Sequence, residues 1–87
     1  MKEYRVIYDT EHFIDGVVCE SLEDAIATVE EIYVAWMDEG PEDVDEWNYM
    51  IYTCSCWVEA STGEDWETCW EPDDEFLGCI GWEERDV

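Results

Sequence analysis

Between Arg5 and Arg85 this 87-residue chain contains no lysine or arginine, and 24 of its 26 carboxylates lie in that interval. With Lys2 as the only other cation, the formal net charge is −23. Such a chain must fold with almost no internal ion pairs. Its surface must also carry the repulsion that interspersed opposite charges normally relieve. High acidity with few aromatics predicts disorder. Here 47% of residues are hydrophobic and 15% aromatic, which predicts a packed core. At this length the core is thin, and residues 1–87 read as a single acidic domain.

The sign of the charge excludes a nucleic-acid binder and a binder of anionic membranes, and points to a basic partner surface. The start, MKEYRVIYD, carries an acid at position 3 and no long apolar run, so no signal peptide is expected. The longest apolar stretch, Ile32–Met37, is too short to span a membrane. A cytoplasmic location with reduced thiols follows as the expectation. Five cysteines is also an odd number, which a full disulfide framework cannot use.

Hydrophobic patterning predicts an α+β domain with a small, mostly antiparallel sheet of three or four strands. Tyr4–Asp9 alternates as a first strand, with Tyr4, Val6 and Tyr8 on one side. Phe13–Cys19 reads as a second strand interrupted at Asp15-Gly16, by a tight turn or a bulge. Ser21 followed three residues later by Asp24 has the form of a helix start. A helix over about residues 22–39 follows, closed by Gly40-Pro41. Its apolar arc runs through Leu22, Ala25, Ile26, Val29, Ile32, Tyr33, Trp36 and Met37, and Glu23, Asp24, Glu30, Glu31 and Asp38 fall on the opposite arc.

Asp38–Glu46, DEGPEDVDE, is the densest acidic segment and reads as a loop, since proline, glycine and mutual repulsion oppose regular structure. Trp47–Trp70 reads as one long central hairpin, with a turn at Ser61–Glu64 where Gly63 tolerates positive φ. One register of that hairpin sets Cys56 opposite Cys69. Trp57, Trp66 and Trp70 then project from one side, and Met50, Tyr52, Cys54, Cys56, Val58 and Cys69 from the other. Glu71–Glu75 is a second acidic knot, and Asp73 caps a short helix over about residues 74–80. Trp82 packs back on the sheet, and Glu83–Val87 frays.

Candidates for chemistry are few. His12 is the one histidine, beside an expected turn, and no glycine-rich phosphate loop or Gly-x-Ser-x-Gly is present. Carboxylate pairs are everywhere, so none stands out as a catalytic pair in two contrasting environments. No catalytic residue, metal ligand or cofactor is therefore assigned, and a non-enzymatic role is expected. Cys54, Cys56 and Cys69, with Cys19, Cys79 or His12 as a fourth ligand, are the alternative of a zinc site. Their spacing departs from zinc knuckles, and buried reduced thiols are the commoner outcome. The tryptophans read as core or as a dimer contact. Exposed and ringed by acids, they would instead suit an arginine-rich partner.

Charge density is the remaining signal. A compact domain of this length has a radius of gyration of about 12 Å and spans roughly 30–35 Å. Duplex DNA of that length carries roughly 20 phosphates, comparable with the charge of this chain. On the long helix Asp24, Glu31 and Asp38 recur every seven residues, an axial step of about 10.5 Å, close to three base-pair rises.

In size, in its unrelieved acids and in the clusters DEGPEDVDE and EPDDE, the chain resembles the small, highly acidic DNA-mimic inhibitors of phages and mobile elements, the anti-CRISPR and antirestriction proteins. The resemblance implies a stoichiometric inhibitor that occupies the basic, PAM-reading groove of a CRISPR-Cas nuclease effector inside a bacterial host cell. Inhibition of a restriction enzyme, or binding to some other basic protein, are the alternatives, and halophilic solvation is the bland one. The expected contact residues are Glu23, Asp24, Glu30, Glu31, Asp38, Glu39, Glu42, Asp43, Asp45, Glu46, Glu71, Asp73, Asp74 and Glu75.

Overall fold

A computed structural model describes residues 2–86. The fold is α+β, with elements β1 (Tyr4–Asp9), β2 (Ile14–Cys19), α1 (Leu22–Asp38), α2 (Val44–Thr53), β3 (Ser55–Ser61), β4 (Trp66–Trp70) and α3 (Asp74–Ile80). The four strands form one antiparallel sheet in the order β2-β1-β3-β4. Among the described residues no helix is long and apolar enough to cross a membrane.

β1 is one of the two inner strands, and its alternation decides which face is the core. Val6 is fully buried, with Tyr4 and Tyr8 beside it on the same side. Cys56, Val58 and Ala60 of β3 face the same way and are buried. Ala25, Val29 and Tyr33 of α1 pack down on them, and α2 and α3 contribute Met50, Ile51, Phe76, Leu77 and Ile80 from that side. Ser21 starts α1 as the sequence predicts, its hydroxyl accepting the Asp24 N–H at 3.1 Å. Gly40 follows the Glu39 cap, where a Cβ would lie 2.9 Å from the Trp36 carbonyl oxygen.

Several expectations are corrected. β2 runs through Gly16 in unbroken register with β1, so Asp15-Gly16 makes neither turn nor bulge. Gly16 lies opposite Ile7, whose Cδ1 would be 3.0 Å from a Cβ there, so glycine makes room for a neighbour.

The long hairpin over residues 47–70 is shorter than read. Residues 44–53 are α2, because Asp43 accepts the Glu46 N–H at 3.2 Å as N-cap and Asp45 and Glu46 sit in a first turn that favours anions. Trp47, Met50, Ile51 and Cys54 then share one helical face. The acidic segment Asp38–Glu46 is accordingly the end of α1, a short link and the start of α2, not one loop.

Across the remaining hairpin, Cys56 does not face Cys69: the pairing of β3 with β4 ends at Val58 opposite Trp70, so Cys56 lies beyond it. The register of β4 shifts so that Val58 faces Trp70 and Glu59 faces Thr68. Cys69 is thus the extra residue of a bulge. The shift puts Trp70 on the core side with Val58 and leaves Trp66 on the other side with Trp57. Gly63 does take positive φ, at 104°, in the turn between the strands.

The C-terminal residues through Arg85 are held, not frayed. Trp82 is buried against Tyr33 and Trp36, with ring centroids 4.7 and 5.7 Å away. The Trp47 indole N–H donates to the Glu83 carbonyl at 2.8 Å, and Asn48 exchanges two hydrogen bonds with the Arg85 backbone.

Candidate functional site: an unpaired acidic surface

All fourteen expected contact residues are exposed. Among the described residues the only ion pair of a carboxylate with a lysine or arginine is Glu59 with Arg5, 2.6 Å apart. Arg5 also lies over the Trp66 ring, its guanidinium carbon 4.3 Å from the centroid. Arg85 lies over Trp47 at 3.6 Å. Both arginines therefore serve the fold, and none of the fourteen acids is neutralised by them.

Eight of the fourteen have a local structural reason. Asp43 and Asp73 are N-caps, Asp73 accepting the Phe76 N–H at 2.8 Å. Glu23, Asp24, Asp45, Glu46, Asp74 and Glu75 occupy first turns, where the helix dipole favours negative charge. The other six, Glu30, Glu31, Asp38, Glu39, Glu42 and Glu71, have no such reason. Asp38 and Glu39 sit at the C-terminal end of α1, where the dipole opposes anions and no basic residue compensates. The acids form two sets along the chain. One runs down the outer arc of α1 and through the link into α2, and the other precedes and opens α3.

The body is longer than a compact domain of this length, with a radius of gyration of 13.8 Å and extents of 47 × 26 × 18 Å. A duplex 47 Å long carries about 28 phosphates. Asp24, Glu31 and Asp38 all lie on α1 and are exposed, so the seven-residue step is realised on one helix.

Between α2, β3 and the β4–α3 connection lies an open cleft of about 490 Å³, lined by Tyr33, Tyr52, Cys56, Trp57, Glu71 and Trp82 among others. Tyr52 is 84% exposed and Glu71 stands at the rim. At the floor the Cys56 N–H donates to the Tyr33 hydroxyl at 2.9 Å. Burial pushes the Tyr33 phenol up to about 12 and the Cys56 thiol up to about 12, so both are neutral at physiological pH. A neutral thiol is neither a ready nucleophile nor a ready ligand.

The zinc alternative loses its geometry. Cys54 caps α2, Cys56 is buried in β3, and Cys69 is exposed on the β4 bulge. Among the described residues no three His, Cys, Asp or Glu side chains gather as metal ligands. His12 is exposed, with the Glu11 carboxylate 3.9 Å from it. Sequence reasoning missed the cleft, because it depends on α2. The missed signal was Asp43-x-x-Glu46, which has the same form as the capping box read correctly at Ser21. Comparison with protein families, characterised proteins and solved structures finds no match to this chain.

Proposed function

We propose that this protein is a non-catalytic, stoichiometric inhibitor that imitates DNA and occupies the basic, PAM-reading groove of a CRISPR-Cas nuclease effector in the bacterial cytoplasm. One observation carries this reading. Among the described residues fourteen exposed carboxylates have no lysine or arginine partner, on a body of near-duplex charge density, and six of them neither cap a helix nor sit in a first turn. A cationic groove supplies the missing counterions, through charge-assisted hydrogen bonds from lysine and arginine. The cleft beside the acids adds a place for one arginine, stacked on Tyr52 or Trp57 and paired with Glu71. Arg5, stacked on Trp66 and paired with Glu59, is the same arrangement within this chain.

The test is replacement of Asp38, Glu39, Glu42, Asp43, Asp45 and Glu46 by Asn or Gln, followed by DNA-cleavage assays with a panel of Cas effectors. The parent chain is expected to inhibit at one-to-one stoichiometry, and the substituted chain is expected to be folded and inactive. Full inhibition by the substituted chain would remove this segment from the contact. A parent chain inert against the whole panel would defeat the reading itself.

A further inference from the structure

We propose that the free edge of β2 is a self-association site at which two copies of this chain join their sheets across a two-fold axis. β2 ends the sheet, so one side of its backbone pairs with β1 and the other is open. Ladder geometry tells which residues face the open side. The Thr10 N–H donates to the Phe13 carbonyl at 2.8 Å, which makes that pair hydrogen-bonded. Antiparallel pairs alternate from there, so Asp15, Val17 and Cys19 bond to β1, and Ile14, Gly16 and Val18 point N–H and C=O outward. Consistently, the Gly16 N–H is taken by its neighbour, the Asp15 carboxylate, at 2.8 Å.

Edge strands are usually defended by lysine, proline, a bulge or a covering element. β2 has none of the first three, and every helix packs on the core side of the sheet. It is also apolar where exposed. Among the described residues seven large hydrophobics are exposed, and four of them, Phe13, Ile14, Val17 and Val18, lie within residues 13–18. Val18 and Ile14 are 67% and 62% exposed.

Charge selects the occupant. Residues 13–19 hold one carboxylate, Asp15, in a chain that holds 26. A basic partner finds almost nothing to pair with there. A second copy of a chain at −23 finds a strip where the two bodies can touch without using the carboxylates of their acidic helices. Identical edges pair about a two-fold axis, as closed dimers require. Of the registers that match outward-facing residues, one centred on Gly16 sets Ile14 against Val18 of the second copy. Two apolar pairs then face each other on the uncovered side of the sheet. The contact is short, so the dimer is weak and concentration-dependent. It is independent of the inhibitor reading, since it uses none of the fourteen acids.

Sedimentation velocity of the full chain, over a range of protein and salt concentrations, tests the proposal. The expected result is a monomer of 10.3 kDa at low concentration that converts to a dimer as protein concentration rises, more readily at high salt. Val18→Lys, on an exposed side chain, is expected to abolish the dimer, and Asp15→Ala to strengthen it. Hydrogen exchange supplies the second readout. The amides of Gly16 and Val18 are expected to gain protection with concentration, whereas that of Val17 is protected throughout. A chain that stays monomeric at high protein and salt, or a dimer unaffected by Val18→Lys with Gly16 and Val18 amides exchanging freely, would overturn it.

Discussion

Arg85 stacks its guanidinium on the indole of Trp47, 3.6 Å from the ring centroid, and the same indole donates its N–H to the Glu83 carbonyl. A tail that the sequence leaves loose is thereby clamped to α2, and Trp82 is held in the core beneath it. Trp47→Ala removes a buried ring and its hydrogen bond, and is expected to cost about 3–5 kcal/mol. Arg85→Ala removes only the exposed stacking and is expected to cost about 0.5–1 kcal/mol. Urea denaturation of the two variants checks the order. Equal losses would mean that the tail is not anchored through the ring.

Asp43 and Asp73 separate charge from structure. Asn caps helices about as well as Asp, whereas Ala loses the bond to the N3 amide. Asp43→Asn is therefore expected to leave thermal stability nearly unchanged, and Asp43→Ala to cost about 1 kcal/mol, with the same contrast at Asp73. Binding should behave differently. Both Asp43 variants are expected to weaken the partner to a similar degree, since both remove the anion. Calorimetry of folding and of binding on the same samples distinguishes the two roles.

Tyr33 and Cys56 make folding sensitive to alkali. Their ordinary values are 10.0 and 9.0, and in the fold burial raises both to about 12. The unfolded chain then loses these protons at lower pH than the folded one. Their contribution to stability is full below about pH 9, declines as pH rises from about 9 to about 12, and is gone above that. Denaturant midpoints measured from pH 7 to 11 are expected to fall through this window. The same burial orders the thiols: the exposed Cys69 and Cys79 are expected to react first with a thiol reagent, and Cys56 only after unfolding.

Much of this was legible in the sequence, and the misses share a cause. α1 announced itself through Ser21 and a 3.6-residue apolar arc, and β1 through alternation that puts Tyr4, Val6 and Tyr8 on one side. Over residues 47–53 position along the chain outweighs aromatic and β-branched content. Trp47, Tyr49 and Tyr52 favour strands by type, but Asp43 and Glu46 had already started a helix. The displacement of Trp70 follows from one inserted residue, Cys69, because side chains alternate strictly and a bulge reverses every face beyond it. All fourteen acids are exposed, and no lysine or arginine lies between Arg5 and Arg85 to pair with them. Their division into eight with a local structural role and six without could not be read before α2 was known.

Salt should move stability and function in opposite directions. Raising ionic strength screens repulsion among unpaired carboxylates, so the melting temperature is expected to rise between low and moderate salt. A Tm that falls with salt would mean that net repulsion among the carboxylates does not limit stability.

The most direct measurement is competition between this protein and duplex DNA for a Cas effector, titrated between about 50 and 200 mM salt. If the carboxylates stand in for phosphates, the two ligands exclude each other, and the protein's apparent affinity weakens by at least about tenfold across that range. Ternary binding of protein and DNA together, or an affinity indifferent to salt, would contradict imitation of a duplex.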